Sequence, residues 1–583
     1  MTIWPGASLA ILIPSLVPIL LCIAAGSGLG AGRLRWPGAD MLVGFGLLGT
    51  ALTIVAVTTR IPVTWIMAGL ALLALATPLV ARKCPGGRAT WIALALVLPI
   101  LAAATRGEAA MWDEFWNWLP SAAHIYQHDS LPRGDLPPAL SIFPGYPQAM
   151  PLMIAASSFL AQRFLEASGP ILNVALLAGA SATLAQSLAA ALARRGSLNR
   201  AEMPLILIAG AVAITVLLNP GLNGAVVLSA YVECATMVAV GALGLVGVEI
   251  LTRLSAHDSS NVEAMSWRFG FIGAMLVNLK QANPALLLWV VCSLVLIALR
   301  NPGTRTRRAV LLLPRMLLPP LVLIAVWRWY VIGSLSNAEQ SFRPLAAWNF
   351  GVLKETFASI WAQIVYAPVF HAMMWSVTAA GIWCFFALAR KNSEARCLAA
   401  VCAIVWLGYN AFLLIVYLGA MSASDAQIAA DYWRYTPHAA LLALYPPAMA
   451  LAVSRPSAWM QLRRPAATVA AVLLALCTLP LRRDLNDPPG RAWQRFLRGV
   501  ALDIRAQLPS GAKLLIVPSW NGPFAVGVRY DLWQLGMPER ETGIEILWHH
   551  EDYAQAAIEA KAHATDYLLV QDVEPGPLAS AGK

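Results

Sequence analysis

Charge is what this chain has least of. Only 12% of its 583 residues are Asp, Glu, Lys or Arg, about half the share of a soluble domain, and 59% are hydrophobic. That balance excludes an ordinary soluble enzyme. Apolar runs of membrane-spanning length recur along most of the chain, which makes it a polytopic α-helical membrane protein. No Lys or Arg precedes Arg33. The first apolar run therefore lacks the basic n-region of a cleaved signal peptide and reads as a retained helix. Eight cysteines are present, all in or beside apolar runs and none in the polar loops or the C-terminal region. They imply no disulfide framework, and none has the paired spacing of a metal site. A Gly-rich phosphate loop and a Ser nucleophile elbow are missing as well. The net charge of +11 does not point to nucleic acid, because the basic residues sit in short loops between apolar runs, where the positive-inside rule puts them.

What is present are about fourteen candidate spans, at 8–30, 41–59, 62–81, 89–105, 170–192, 204–219, 229–251, 266–280, 284–299, 309–332, 373–390, 397–419, 436–453 and 466–480. Ala149–Ala161 is apolar but short, and suits an interfacial or re-entrant helix. If it does not cross, one set of loops holds twenty basic residues and the other seven: Arg60, Arg106, Arg133, Arg163, Arg343, Lys354 and Arg434. That bias places both termini, the outer loop 106–169, the 333–372 loop and the 420–435 loop on the extracytoplasmic side. Residues 1–88 read as an accessory set of membrane helices and 89–480 as the central membrane unit. From about Arg482 the composition changes. Helical periodicity over Ala492–Leu508, strands at Lys513–Pro518 and Asp566–Gln571, and a helix at Asp552–Ala564 predict a small extracytoplasmic α/β domain over 481–583.

The polar exception in the first half is Met111–Pro151, which opens on Asp113-Glu114 directly after an apolar run. Acids at the mouth of a membrane helix are costly unless solvated or used. On an ideal helix Asp113, Asn117, His124 and His128 share one stripe, although Pro120 spoils an unbroken helix and suits the first turn of a second one. This fits an acid-bearing face over a cavity; an amphipathic interface helix with a solvated acid fits it too. His124 and His128, at i and i+4, lack a clear third ligand for a metal. Glu233 stands at the outer end of a span, where it needs a partner or water. Lys280-Gln281 joins two short runs just before Pro284, and such breaks line binding sites; a lysine reaching the headgroups would look the same. Arg434-Tyr435 precedes a later span. Arg suits a phosphate oxygen, or an aromatic belt in which it pairs with Asp431.

Trp112-Asp113-Glu114 with Trp118, Tyr146-Pro147-Gln148-Ala149-Met150-Pro151-Leu152, Tyr231-Val232-Glu233, Lys280-Gln281 and Arg434-Tyr435 together resemble motifs of the GT-C class of membrane glycosyltransferases. That class includes protein O-mannosyltransferases and lipid A aminoarabinose transferases. The resemblance covers roughly 89–480. Two departures stand out: three spans precede the acidic loop where many members have one, and no sugar-specific signature is present. The resemblance implies a GT-C-like fold and inverting transfer of a hexose or pentose from a polyprenyl-phosphate donor to an acceptor hydroxyl on an envelope lipid, glycan or protein. The location implied is a bacterial inner membrane. Asp113 would be the general base, with Glu114 as its catalytic neighbour. Glu233, Lys280, Gln281, Arg434, Tyr435, Tyr146, Asn117 and His124 would bind donor or acceptor. No cofactor is required and no metal ligand is assigned, although some relatives use a divalent metal. Membrane lipids are the remaining partners, and nucleic acid is not one. The competing classes are a lipid-linked-glycan transporter or flippase, and a ligase that moves a whole lipid-linked glycan. Against the transporter, no halves repeat and the polar residues gather at one membrane face.

Overall fold

The computed structural model describes residues 7–29, 36–81, 85–137, 139–198, 203–256, 258, 261–301, 306–335, 341–388, 393–454, 491–509, 512–517, 523–537, 544–546 and 566–570. The expected span at 466–480 and the helix at Asp552–Ala564 lie outside them.

The protein is a bundle of apolar helices. In chain order they are α1 (Ala7–Gly28), α2 (Asp40–Thr58), α3 (Val63–Ala81), α4 (Arg88–Leu96), α5 (Leu98–Ala104), α6 (Leu119–His128), α7 (Ala149–Ala161), α8 (Ser168–Arg194), α9 (Leu205–Val212), α10 (Gly224–Val227), α11 (Glu233–Ser255), α12 (Val262–Val277), α13 (Asn283–Arg300) and α14 (Thr306–Ser334). There follow α15 (Leu353–Tyr366), α16 (Pro368–Ala387), α17 (Glu394–Gly419), α18 (Ala423–Gln427), α19 (Tyr432–Tyr435) and α20 (Ala440–Ser454). Nine helices among the described residues are long and apolar enough to cross a membrane. The chain is therefore an integral, multi-pass membrane protein.

Several expected spans are altered in detail. The run at 89–105 is broken at Val97, between α4 and α5, where Pro99 removes a backbone donor. The 333–372 loop contains α15, whose Phe357, Trp361 and Val365 are exposed. A helix with a ring of such residues on one side belongs at a membrane interface. The short α7 is mostly buried, packed on α6 and α1.

The first helices are built into the bundle. Arg268 of α12 pairs with Asp40 of α2 at 2.9 Å, both almost fully buried. Asn278 donates to the Gly49 carbonyl at 3.2 Å and to the Thr53 hydroxyl at 3.0 Å. α1 and α2 cross backbone to backbone: a Cβ on Gly44 would lie 1.7 Å from the Cys22 carbonyl oxygen, and one on Gly26 1.9 Å from that of Asp40. Close helix contact through small residues is the usual device in lipid, where apolar burial alone does not drive association. Gly44→Val is expected to separate α1 from α2 and to abolish the monodisperse peak in size-exclusion chromatography. Gly69→Val, at a position with open space around it, should leave that peak intact.

Two charged layers sit at opposite ends of α11. Glu233 starts the helix; Glu249, near its other end, accepts from Arg194 at 3.0 Å and Arg253 at 2.8 Å, while Arg194 also meets Glu394 at 2.8 Å. Glu249 follows Glu233 by sixteen positions along the helix, roughly 24 Å at 1.5 Å per residue. That distance approaches the apolar thickness of a bilayer.

After the bundle come α21 (Arg491–Gln507) and α22 (Pro523–Gln534), with strands β1 (Leu514–Val517), β2 (Ile544–Ile546) and β3 (Tyr567–Val570). The sheet is parallel in the order β2-β1-β3, with Leu514 opposite Ile544 and Tyr567. Parallel pairing requires a crossover between strands, and α22 lies between β1 and β2 in the chain. Neither α22 nor β2 is evident from periodicity.

Candidate active site

Asp113, Glu233, Lys280, Arg434 and Tyr435 come together at one end of the bundle. Each is held by its own local backbone. Asp113 directly precedes a π-turn at Glu114–Trp118. Its amide donates to the Tyr231 hydroxyl at 3.2 Å. Tyr231 is fixed in turn by Asn173, which donates to the carbonyls of Ser229 and Tyr231 at 2.9 Å each. Glu233 opens α11. Lys280 sits in the break between α12 and α13, pinned on both sides: Asn278 reaches back to α2, and Asn283 donates to the Leu276 carbonyl at 2.8 Å and the Thr236 hydroxyl at 3.0 Å. Arg434 lies in the single turn α19, after Asp431 in a left-handed conformation (φ 63°). Asp tolerates that region better than most residues do.

Arg434 is the centre of the cluster. Its Nη1 donates to Asp113 at 2.5 Å and its Nη2 to Asp431 at 2.6 Å, while Nε stands 3.9 Å from Glu233. Lys280 Nζ meets the same Glu233 oxygen at 2.7 Å. The two cations also face aromatic rings. Lys280 lies 4.2 Å from the centre of the Tyr435 ring, and the Arg434 guanidinium lies 5.1 Å from Tyr231 and 5.2 Å from Tyr435. Desolvated cation–π contacts of this kind are worth about 2 kcal/mol. Three carboxylates therefore share two cations, and Asp431 is the member supplied by local sequence, three residues before Arg434.

Glu114 faces elsewhere. One of its oxygens accepts from the amides of Ala110 (2.8 Å) and Met111 (2.9 Å), the other from Ala230 (2.6 Å). It ties the approach to Asp113 onto the segment before α11. Burial pushes its carboxyl from the ordinary 4.5 up to about 7, against the pull of those three amides. A carboxyl with a raised folded-state value binds its proton more tightly folded than unfolded. Its stabilising contribution is complete below about 4.5 and is lost as the pH rises toward 7. Thermal unfolding of the detergent-solubilised protein should show stability declining across that window. Glu114→Gln should flatten the decline and lower the overall melting temperature, since an amide cannot accept at both positions. An unchanged pH slope in that variant would remove Glu114 as its source.

Asn117 and His124 are not brought to the cluster. Asn117 accepts from the Ser141 hydroxyl at 3.3 Å. The His124 ring packs on His128 with centres 4.5 Å apart, and burial, with His128 beside it, pushes His124 down to about 3. The physical reason is the π-turn. Its wider turns break the uniform 100° step on which the shared stripe rests. Among the described residues no group of three His, Cys, Asp or Glu is placed to hold a metal ion.

Beside the cluster lies a cavity of about 410 Å³. Lys280, Gln281, Arg328, Tyr146 and Tyr435 give it polar character; Phe412, Leu413 and Val416 of α17 form an apolar wall. Tyr146 stacks on Phe143 at 4.9 Å and leans on Trp118 at 6.2 Å. Arg343, in the segment over the cavity, is spent on backbone: it donates to the carbonyls of Leu418 (3.3 Å) and Met421 (2.6 Å).

No family model matches the chain, and no curated protein does. The chain is similar to the crystal structure of ArnT from Cupriavidus metallidurans bound to undecaprenyl phosphate, at 12% identity and a TM-score of 0.38, covering 83% of this chain and 90% of that one.

The residues that motif reading missed here are Asn173, Asn278 and Asn283. Tyr231 stands in the Tyr231-Val232-Glu233 motif, but the contact of its hydroxyl with the Asp113 amide is not legible there. The three asparagines carry a weaker signal: an amide in an apolar run must find partners, but nothing local says which.

Proposed function

We propose that this protein is an inverting glycosyltransferase that moves a sugar from a polyprenyl-phosphate donor to an acceptor hydroxyl, with its site on the extracytoplasmic side of a bacterial inner membrane. One observation carries the reading: Lys280 and Tyr435, which both belong to the cluster around Arg434, line a cavity that is cationic through Lys280 and Arg328 and apolar along α17. An isoprenoid phosphate has that same division. Its phosphate would compete with Asp113, Asp431 and Glu233 for Arg434 and Lys280, and its chain would follow Phe412, Leu413 and Val416. Tyr146, Tyr435 and Gln281 would line the sugar and phosphate.

Competition for Arg434 links donor binding to catalysis. While Arg434 bonds to Asp113, that carboxylate oxygen has a guanidinium where an acceptor proton must go. Transfer of the guanidinium to the donor phosphate frees it. Asp113 then takes the proton as the acceptor oxygen attacks the anomeric carbon. The bond from that carbon to phosphate oxygen breaks in a single displacement with inversion. The polyprenyl phosphate leaves with its growing charge on Arg434 and Lys280. These two cations supply the counter-charge. Glu114 and Glu233 position the groups that act.

The test is the envelope glycan profile, by mass spectrometry, of cells carrying or lacking the chain. Loss of one sugar mass from a defined molecule, with accumulation of an unused lipid-linked monosaccharide, is expected on deletion. Accumulation of a complete lipid-linked glycan instead would overturn single-sugar transfer.

A further inference from the structure

A second cavity, of about 500 Å³, lies where α21 and α22 meet the membrane helices. Thr105 to Glu108 and Arg163 to Ala167 form one side, Arg498, Leu502, Asp531 and Gln534 the other, and Ile11 of the first span reaches it. One part of its wall is already satisfied. Glu166 accepts from the Tyr530 hydroxyl at 2.9 Å, from Arg498 at 3.2 Å and from the Ala109 amide at 3.4 Å. Arg498 also faces Asp531 at 3.5 Å, and the third acid, Glu108, acts on Arg498 as well. All three acids thus converge on one guanidinium. Burial pushes the Asp531 carboxyl up to about 7, which thins the negative charge of this wall near neutral pH.

The two other arginines lining the cavity are exposed. Neither Arg106 nor Arg163 has an ion-pair partner among the described residues. The wall that continues from them is apolar: Ile11, Phe164, Leu165, Leu502 and Leu535. Leu502 leaves 51% of its surface uncovered. Two uncommitted guanidiniums above an apolar wall that begins on a membrane span match a molecule with an anionic oxygen cluster and a hydrocarbon chain.

We propose that this cavity binds an anionic amphiphile, its phosphate on Arg106 and Arg163 and its chain against Ile11, Phe164 and Leu502. The site stands apart from the Asp113 cluster and does not depend on the transfer reading. The two are joined by one loop: the amide of Ala109 is held by Glu166, and those of Ala110 and Met111 by Glu114.

The test uses the full chain in a nonionic detergent, titrated with dioleoyl phosphatidylglycerol and read by native mass spectrometry. One saturable adduct is expected. It should weaken about tenfold or more in the R106Q/R163Q double variant and be unchanged in R60Q/R495Q, which removes the same charge outside the cavity. Phosphatidylcholine should bind far more weakly, and inorganic phosphate should not displace the adduct. Equal binding by R106Q/R163Q, equal loss in R60Q/R495Q, or displacement by inorganic phosphate would each overturn the proposal. A photoactivatable phosphatidylglycerol provides a check that needs no variant. Cross-links should fall in 105–108, 163–167 or 498–502, and cross-links confined to other segments would refute the site.

Discussion

Asp113→Asn is expected to lower sugar transfer by about 10²- to 10⁴-fold, the usual contribution of a general base, while the protein stays folded. The substitution keeps an oxygen that can accept from Arg434, which Asp113 meets at 2.5 Å, and keeps the amide that donates to Tyr231. What it removes is the ability to carry the acceptor's proton. Donor binding should be unchanged or tighter, because the carboxylate that competes with the donor phosphate is gone. The measurement is a single-turnover transfer assay on purified protein, paired with donor binding and a melting temperature. A rate within about tenfold of wild type would remove Asp113 as the base. A large drop in melting temperature with a matching loss of donor binding would make it a structural partner of Arg434 instead.

Arg434→Ala should have the widest effect of any single change. Asp113, Asp431 and Glu233 all lean on this guanidinium. Removing one partner of a buried ion pair typically costs about 3–5 kcal/mol, because the charge left behind has no counter-ion. The expected result is poor yield or a much lower melting temperature, which by itself says nothing of catalysis. Arg434→Lys separates the two roles. A lysine restores the charge but is a single point donor, so it cannot bond Asp113 and Asp431 from two nitrogens of one plane. It should recover most of the fold and still transfer about 10²- to 10³-fold more slowly, as on loss of a group that stabilises developing charge, with a raised KM for donor. Wild-type rate and KM in Arg434→Lys would show that Arg434 serves the fold alone.

How far the sequence was legible depends on the kind of force involved. Apolar runs report the spans, since a bilayer requires about twenty apolar residues per crossing whatever they pack against. Hence α2, α8, α11, α13, α14, α16 and α17 lie within a few residues of the expected spans. Short motifs drew attention to Asp113, Glu233, Lys280 and Arg434 because charge beside an apolar run demands a partner. The π-turn after Asp113 was not legible, and with it went the placement of Asn117 and His124. A single extra residue in a turn changes every later angle, and no composition rule signals it. The amides that engage Glu114 were equally invisible, being backbone groups without a residue type.

The apolar character of the chain, its polytopic architecture and the scarcity of charges that makes each one conspicuous were determined by the amino-acid sequence alone. Which charge meets which was decided only by tertiary structure. Arg434 reaches Asp113 across 321 positions of sequence, and Lys280 reaches Glu233 across 47. Such pairs form at hydrogen-bond distance, where the energy falls off within a few ångströms. That geometry depends on helix crossings, on the break at Lys280 and on the turn at Asp113, and none of these exists until the helices pack.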